Sequence, residues 1–134
     1  MYTDLFSEFE LSNDTLRVYE GDQLVFSSTK DRVIPLLEYI DGFTSHHKNE
    51  VIFDKIMGNA AALLCVKVGC QQVYSPLGSQ LAIDTLEKYG IEYHLTEIVP
   101  YIQKAHSEEM CPMEQLSQTK TPEEFYQAIK KKIG

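Results

Sequence analysis

Residues 51–68 read VIFDKIMGNAAALLCVKV, and the fold turns on how this stretch is parsed. A short apolar run, Val51, Ile52 and Phe53, leads into Asp54, Lys55 and a Gly58-Asn59 step. A small, almost uncharged helix follows that only a packed core could cover. Asn59 is a good N-cap, because its side-chain oxygen can accept from the free amides of a first helical turn. Ala60, Ala61 and Ala62 keep that turn slim enough for another backbone or a ligand to come close. Small residues beside charges at a helix start are the makings of a site.

Working outward, 134 residues fit a single domain spanning 1–134 and can bury a core on both faces of a sheet without metals or disulfides. Hydrophobic residues make up 43% and charged ones 24%, and no apolar run approaches the roughly 20 residues of a membrane span. No membrane partner is expected. The opening MYTDLFSEFE is acidic and lacks a basic n-region, so it does not read as a signal peptide, and a cytoplasmic location is expected. Three cysteines, two of them (Cys65 and Cys70) in or beside an apolar helix, fit free thiols in a reducing compartment. A net charge of −8 argues against a nucleic-acid phosphate backbone as main partner, since binding it needs a basic face, and no nucleic-acid partner is expected. The one basic cluster, at 130–132, ends a predicted helix and complements its dipole.

Upstream of the decisive stretch, Leu5, Phe6 and Phe9 share one helical face, predicting a short amphipathic helix over 3–11. The period then changes. Leu16 and Val18 alternate with Arg17 and Tyr19, Leu24 and Phe26 with Val25 and Ser27, and Gly21-Asp22 between them supplies turn chemistry, so 16–27 is a β-hairpin. Val33, Ile34, Leu36, Leu37 and Ile40 return to helical spacing, stopping at Gly42. Residues 43–50, with His46 and His47, have no period and read as an exposed loop. Adjacent histidines share neither a helix face nor a strand face, which makes them poor partners for one metal ion.

Downstream, Gly69 ends the central helix, and 72–75 forms a short strand closed by Pro76 and Gly78. A helix starts at Ser79 with Leu81, Ala82, Leu86 and Tyr89 inward, Gly90 stops it, and 91–99 is a further strand. Strand, tight loop, helix, glycine, strand is the syntax of a parallel β-α-β unit. Residues 101–110 read as loop before the compact Cys111-Pro112-Met113-Glu114 group. Thr121-Pro122-Glu123-Glu124 is a capping box with proline at the first helical position, followed by a stripe of Phe125, Ala128, Ile129 and Ile133. The expected class is therefore α/β, a three-layer sandwich with a mixed sheet in the order α-β-β-α-α-β-α-β-α.

The blocks DKIMGNAAALLCVKVG, VYSPLGSQLAIDTLEKYGIEY, VPYI and CPMEQ, in this order, resemble an uncharacterised bacterial family of unknown function grouped with the cytidine-deaminase-like fold. The resemblance covers nearly the whole chain and implies a fold, and fold does not carry function with it. Zinc deaminases of that fold need a His or Cys with a Glu two residues on at one helix start and Pro-Cys-x-x-Cys at the next. Here those places hold Gly58, Asn59, Ala60 and Ala61, and then the cysteine-free 75–79. No zinc and no cofactor is expected, and His106-Ser107-Glu108, which matches the first pattern, comes too late in the chain. Another set, His94, His106, Cys111 and Glu114, has no known ligand spacing.

What remains is a pair of helix N-termini fit for a small anionic or nucleotide-like ligand. The expected ligand-binding residues are Lys55, Gly58, Asn59, Ser75, Ser79 and Glu114. Asp54 and Cys111 are the candidate catalytic groups, one as base or acceptor and the other as a nucleophile at a helix start. The competing reading is a non-catalytic scaffold or regulatory domain acting through homo-oligomerisation.

Overall fold

Three apolar residues flanked by charges, Val51, Ile52 and Phe53, form the strand at the middle of the sheet. The computed structural model describes residues 2–42 and 49–133. Its elements are α1 (Tyr2–Leu11), β1 (Leu16–Glu20), β2 (Gln23–Ser28), α2 (Ile34–Gly42), β3 (Glu50–Asp54), α3 (Asn59–Val68), β4 (Gln72–Ser79), α4 (Gln80–Lys88), β5 (Glu92–Val99), α5 (Pro112–Ser117) and α6 (Pro122–Ile133). They build a five-stranded sheet in the order β2-β1-β3-β4-β5. The β1–β2 and β1–β3 pairs are antiparallel, while β3–β4 and β4–β5 are parallel. The class is α/β with a mixed open sheet.

The element order corrects the sequence expectation at two places. The run at 50–54 is β3, and 112–117 adds the short helix α5. Every residue of β3 is buried, so it shows none of the polar alternation that marks a half-exposed strand. Its alternation is spatial instead. Val51 and Phe53 face α1, where Phe53 meets the rings of Tyr19 at 5.0 Å, Tyr74 at 5.2 Å, Phe6 at 5.6 Å and Phe9 at 5.7 Å. Ile52 faces the other way, into the larger core with Leu16, Val18, Val73 and the helices α2, α3, α4 and α6. Helices thus cover both faces, with α1 alone on one of them. Burying each of Val51, Ile52 and Phe53 contributes about 1.5–3 kcal/mol.

A second correction concerns β4, which runs on to Ser79 instead of closing at Pro76. Its pairing with β5 steps from Ser75↔Leu95 to Leu77↔Glu97, passing over the proline, which has no N–H to give. Gly78 pairs with Ile98 in the ladder and leaves room for a neighbour, since a Cβ there would lie 2.4 Å from Leu95 Cδ1. The hairpin forms as the sequence predicts, turning on Gly21 at φ 62°. The capping box at α6 is closed in both directions, Thr121 N–H donating to Glu124 Oε1 (2.9 Å) and Glu124 N–H to Thr121 Oγ1 (3.1 Å). His46 and His47 lie outside the described residues. Among the described residues no helix is long and apolar enough to cross a membrane.

Candidate functional site

A cavity of about 320 Å³ opens where β3 ends and α3 begins. Four segments wall it: Thr15 before β1, Asp31, Arg32 and Val33 before α2, Asp54, Lys55, Ile56, Gly58, Ala60 and Ala61 across the β3–α3 turn, and Ile102 with Cys111, Met113 and Glu114 from the late segment. The crevice beyond the carboxyl end of a central strand is where open α/β sheets bind ligands.

Asp54 is the last residue of β3. Period two sends its side chain to the face of Ile52, beneath α3, and only 7% of the residue is exposed. Its Oδ1 accepts from the Ile56 N–H at 3.4 Å, and no basic side chain among the described residues pairs with it. Burial therefore dominates, and the carboxyl is pushed up to about 8 despite the nearby N–H groups of Ile56 and Lys55. At neutral pH Asp54 carries a proton and can donate.

Glu114 is 2% exposed and closes the cavity from α5. Its Oε1 accepts from the Asn59 N–H at 2.6 Å and its Oε2 from the Ile102 N–H at 2.8 Å. One carboxylate thus caps α3 from 55 residues away and fixes the late segment, which is further held by the Cys111 N–H donating to the Ile102 carbonyl at 2.8 Å. Gly58 is required by this approach, since a Cβ would stand 3.0 Å from both Glu114 Oε1 and Ile102 Cγ1. Gly58→Ala is expected to push Glu114 off the helix start and destabilise the protein by about 1–3 kcal/mol, measurable by urea denaturation.

Gly58, with no side chain to cap, occupies the N-cap position expected of Asn59. Asn59 is the first residue of α3 and its side chain points elsewhere: Nδ2 donates to Ser117 Oγ at 3.0 Å, and Oδ1 accepts from the Thr85 hydroxyl. It ties α3 to α5 and α4. Ser75 is buried against its own strand, its hydroxyl donating to the Leu77 carbonyl at 2.8 Å. Ser79 is the N-cap of α4, accepting from the Ala82 N–H at 3.1 Å. Lys55 borders the cavity, but its ammonium donates to the Ser12 carbonyl at 2.7 Å and lies 4.9 Å from the centre of the Phe9 ring. Of the residues expected at the site, the cavity gathers Asp54, Lys55, Gly58, Cys111 and Glu114, and leaves out Asn59, Ser75 and Ser79.

Thr15, Arg32, Val33, Ile102 and the Ala60–Ala61 wall also line it. Arg32, in the left-handed region at φ 60°, carries no motif that would have marked it. Cys111 is half-buried and precedes the six-residue α5 without capping it through its side chain. His94 lies on β5, stacked on Tyr74 at 4.3 Å and paired with Glu92 at 2.7 Å. Among the described residues no three His, Cys, Asp or Glu side chains converge as metal ligands.

Fold and site together define an open mixed-sheet α/β domain with an acid-floored cavity at the end of its central strand. The chain belongs to the TM1506 family, a domain of unknown function (DUF1893), which it matches over residues 6–133. It is similar in structure to a DUF1893 family protein (TM1506) from Thermotoga maritima, with a TM-score of 0.86 and 25% identity, covering 96% of this chain and 87% of that one. No curated protein matches it.

Proposed function

We propose that this chain is a small-molecule-binding domain whose ligand occupies the cavity between Asp54, the first turn of α3 and the 102–114 segment. The observation that carries the reading is Asp54, a buried carboxyl with no basic partner among the described residues that lines a concave cavity. A concave, largely apolar pocket with few polar groups and a perturbed acid is the usual form of a ligand site. Ala60 and Ala61 leave the space that a larger side chain would fill. Cys111 places a thiol beside the same space, so a reaction on the bound molecule fits within this reading.

The helix N-termini themselves are a poor seat for an anion, because Glu114 already holds the Asn59 N–H and Ser79 caps α4. A cytidine-deaminase-like architecture is part of the proposal, supported by the mixed sheet and its two parallel crossovers. Residues 58–61 and 75–79 offer no His, Cys, Asp or Glu to a zinc ion. A reducing, cytoplasmic setting is supported by three free cysteines, two of them buried.

A fragment panel followed by ligand-observed NMR tests the reading. Wild-type protein is expected to bind several fragments, and Ala61→Leu, which fills the cavity, to weaken them at least about tenfold while the chain stays folded by circular dichroism. A panel without hits, or hits indifferent to Ala61→Leu, would show that the cavity is not the site.

A further inference from the structure

We propose that the cavity accepts a small organic cation, an amine or amidinium on an apolar body, whose N–H groups bind the Asp54 carboxylate. This rests on the binding reading above and adds the class of ligand.

Buried charges in proteins are paired, and a buried carboxyl without a cation keeps its proton instead. Asp54 is such a carboxyl, 7% exposed and, among the described residues, with no basic side chain against it. The nearest cation in sequence, Lys55, is committed to the Ser12 carbonyl and the Phe9 ring. Arg32 lies at the mouth, exposed to water, with Asp31 beside it. On the inner side Glu50 accepts from the Tyr39 hydroxyl, and the Cys70 contact together with burial pushes the Cys65 thiol up. The cavity therefore holds a partner-seeking acid and, among the described residues, no cation paired with it at the floor.

An anion is disfavoured by the same geometry. Glu114 already offsets the positive end of the α3 dipole and sets its own acidic side chain against the cavity. The formal charge of −8 draws cations toward the molecule and repels anions. An amidinium or ammonium also matches the site chemically, because its donors are what an ionised carboxylate accepts. Binding moves one proton: Asp54 releases its O–H proton to buffer as the cation takes its place. With the carboxyl at about 8 in the empty protein, nearly one proton per bound cation is released at pH 7.

Benzamidine, benzamide and benzoate, three probes of one shape and different charge, decide the matter when titrated into the full chain by calorimetry. The amide signals of Ala60 and Ala61 report the location. Benzamidine is expected to bind at least about tenfold tighter than benzamide at pH 8.5, with benzoate weaker still. Its affinity should rise about tenfold per pH unit from pH 6 to 7.5 and level off above 8. Asp54→Asn should erase both the preference of benzamidine over benzamide and the pH dependence. Benzamide or benzoate binding as tightly as benzamidine, or a benzamidine affinity flat with pH, overturns the cation class and leaves the cavity reading standing. Failure of all three probes also overturns the cation class, and the fragment panel shows separately whether the binding reading falls with it.

Discussion

Glu114→Ala is expected to destabilise the protein by about 3 kcal/mol, the largest loss from any single side chain of the site. The carboxylate accepts from two backbone N–H groups, those of Asn59 and Ile102, in a place 2% exposed. Removing it leaves both donors without an acceptor, and a hydrogen bond to a charged group contributes roughly 1.5–3 kcal/mol. It also uncaps α3, the helix around which α2, α4, α5 and α6 pack. Glu114→Gln should lose less, because its one carbonyl can serve one of the two donors while its NH₂ faces the other. Urea denaturation gives the energy, and hydrogen exchange gives the place: the Asn59 and Ile102 amides should lose protection first. Equal loss across the whole sheet, or no loss in either variant, would show that Glu114 does not hold these segments.

The second large effect has the opposite sign. Asp54→Asn is expected to stabilise the protein by a few kcal/mol at pH 8 and by little at pH 4. In the unfolded chain Asp54 ionises near its ordinary value of 3.8, whereas in the folded protein burial keeps it protonated up to about 8. Unfolding between these values therefore releases a proton. Its contribution to stability is fully present below about pH 4, declines as pH rises through the interval, and stops changing once the folded form ionises above about 8. Asparagine keeps a carbonyl for the Ile56 N–H and never ionises. Paired denaturation curves of wild type and variant from pH 4 to 9 should diverge as pH rises. Parallel curves would mean that Asp54 is ionised in the folded protein. A residue expected to lower stability at physiological pH, in a cavity with room beside it, fits the proposed role of a binding group.

Much of the fold is legible in local chemistry. The hairpin rests on Gly21-Asp22, α6 on its capping box and proline, and the ends of α3 and α4 on Gly69 and Gly90, whose φ angles of 80° and 74° only glycine adopts readily. The central strand is harder to read for a physical reason: covered on both faces, it offers an apolar run too short to tell from the start of a helix. The site divides along the same line. Asp54 and Cys111 are found from their neighbours in sequence. Glu114 is visible as part of a compact group, but its work as a cap for α3 is a contact across 55 residues and leaves no local trace. Asn59 shows how a good local rule is overridden, since a carboxylate from elsewhere does the capping and frees the amide side chain to bind Ser117 and Thr85.

The reach of Glu114 also sets an order of events during synthesis. Chains emerge from the ribosome N-terminal end first, and contacts distant in sequence form late. All five strands lie before residue 100, so the strands of the whole sheet precede Glu114 in the chain, and the first turn of α3 gains its acceptor only when the late segment joins. The sheet can assemble early, but the cavity is finished only when the late segment arrives and closes over it.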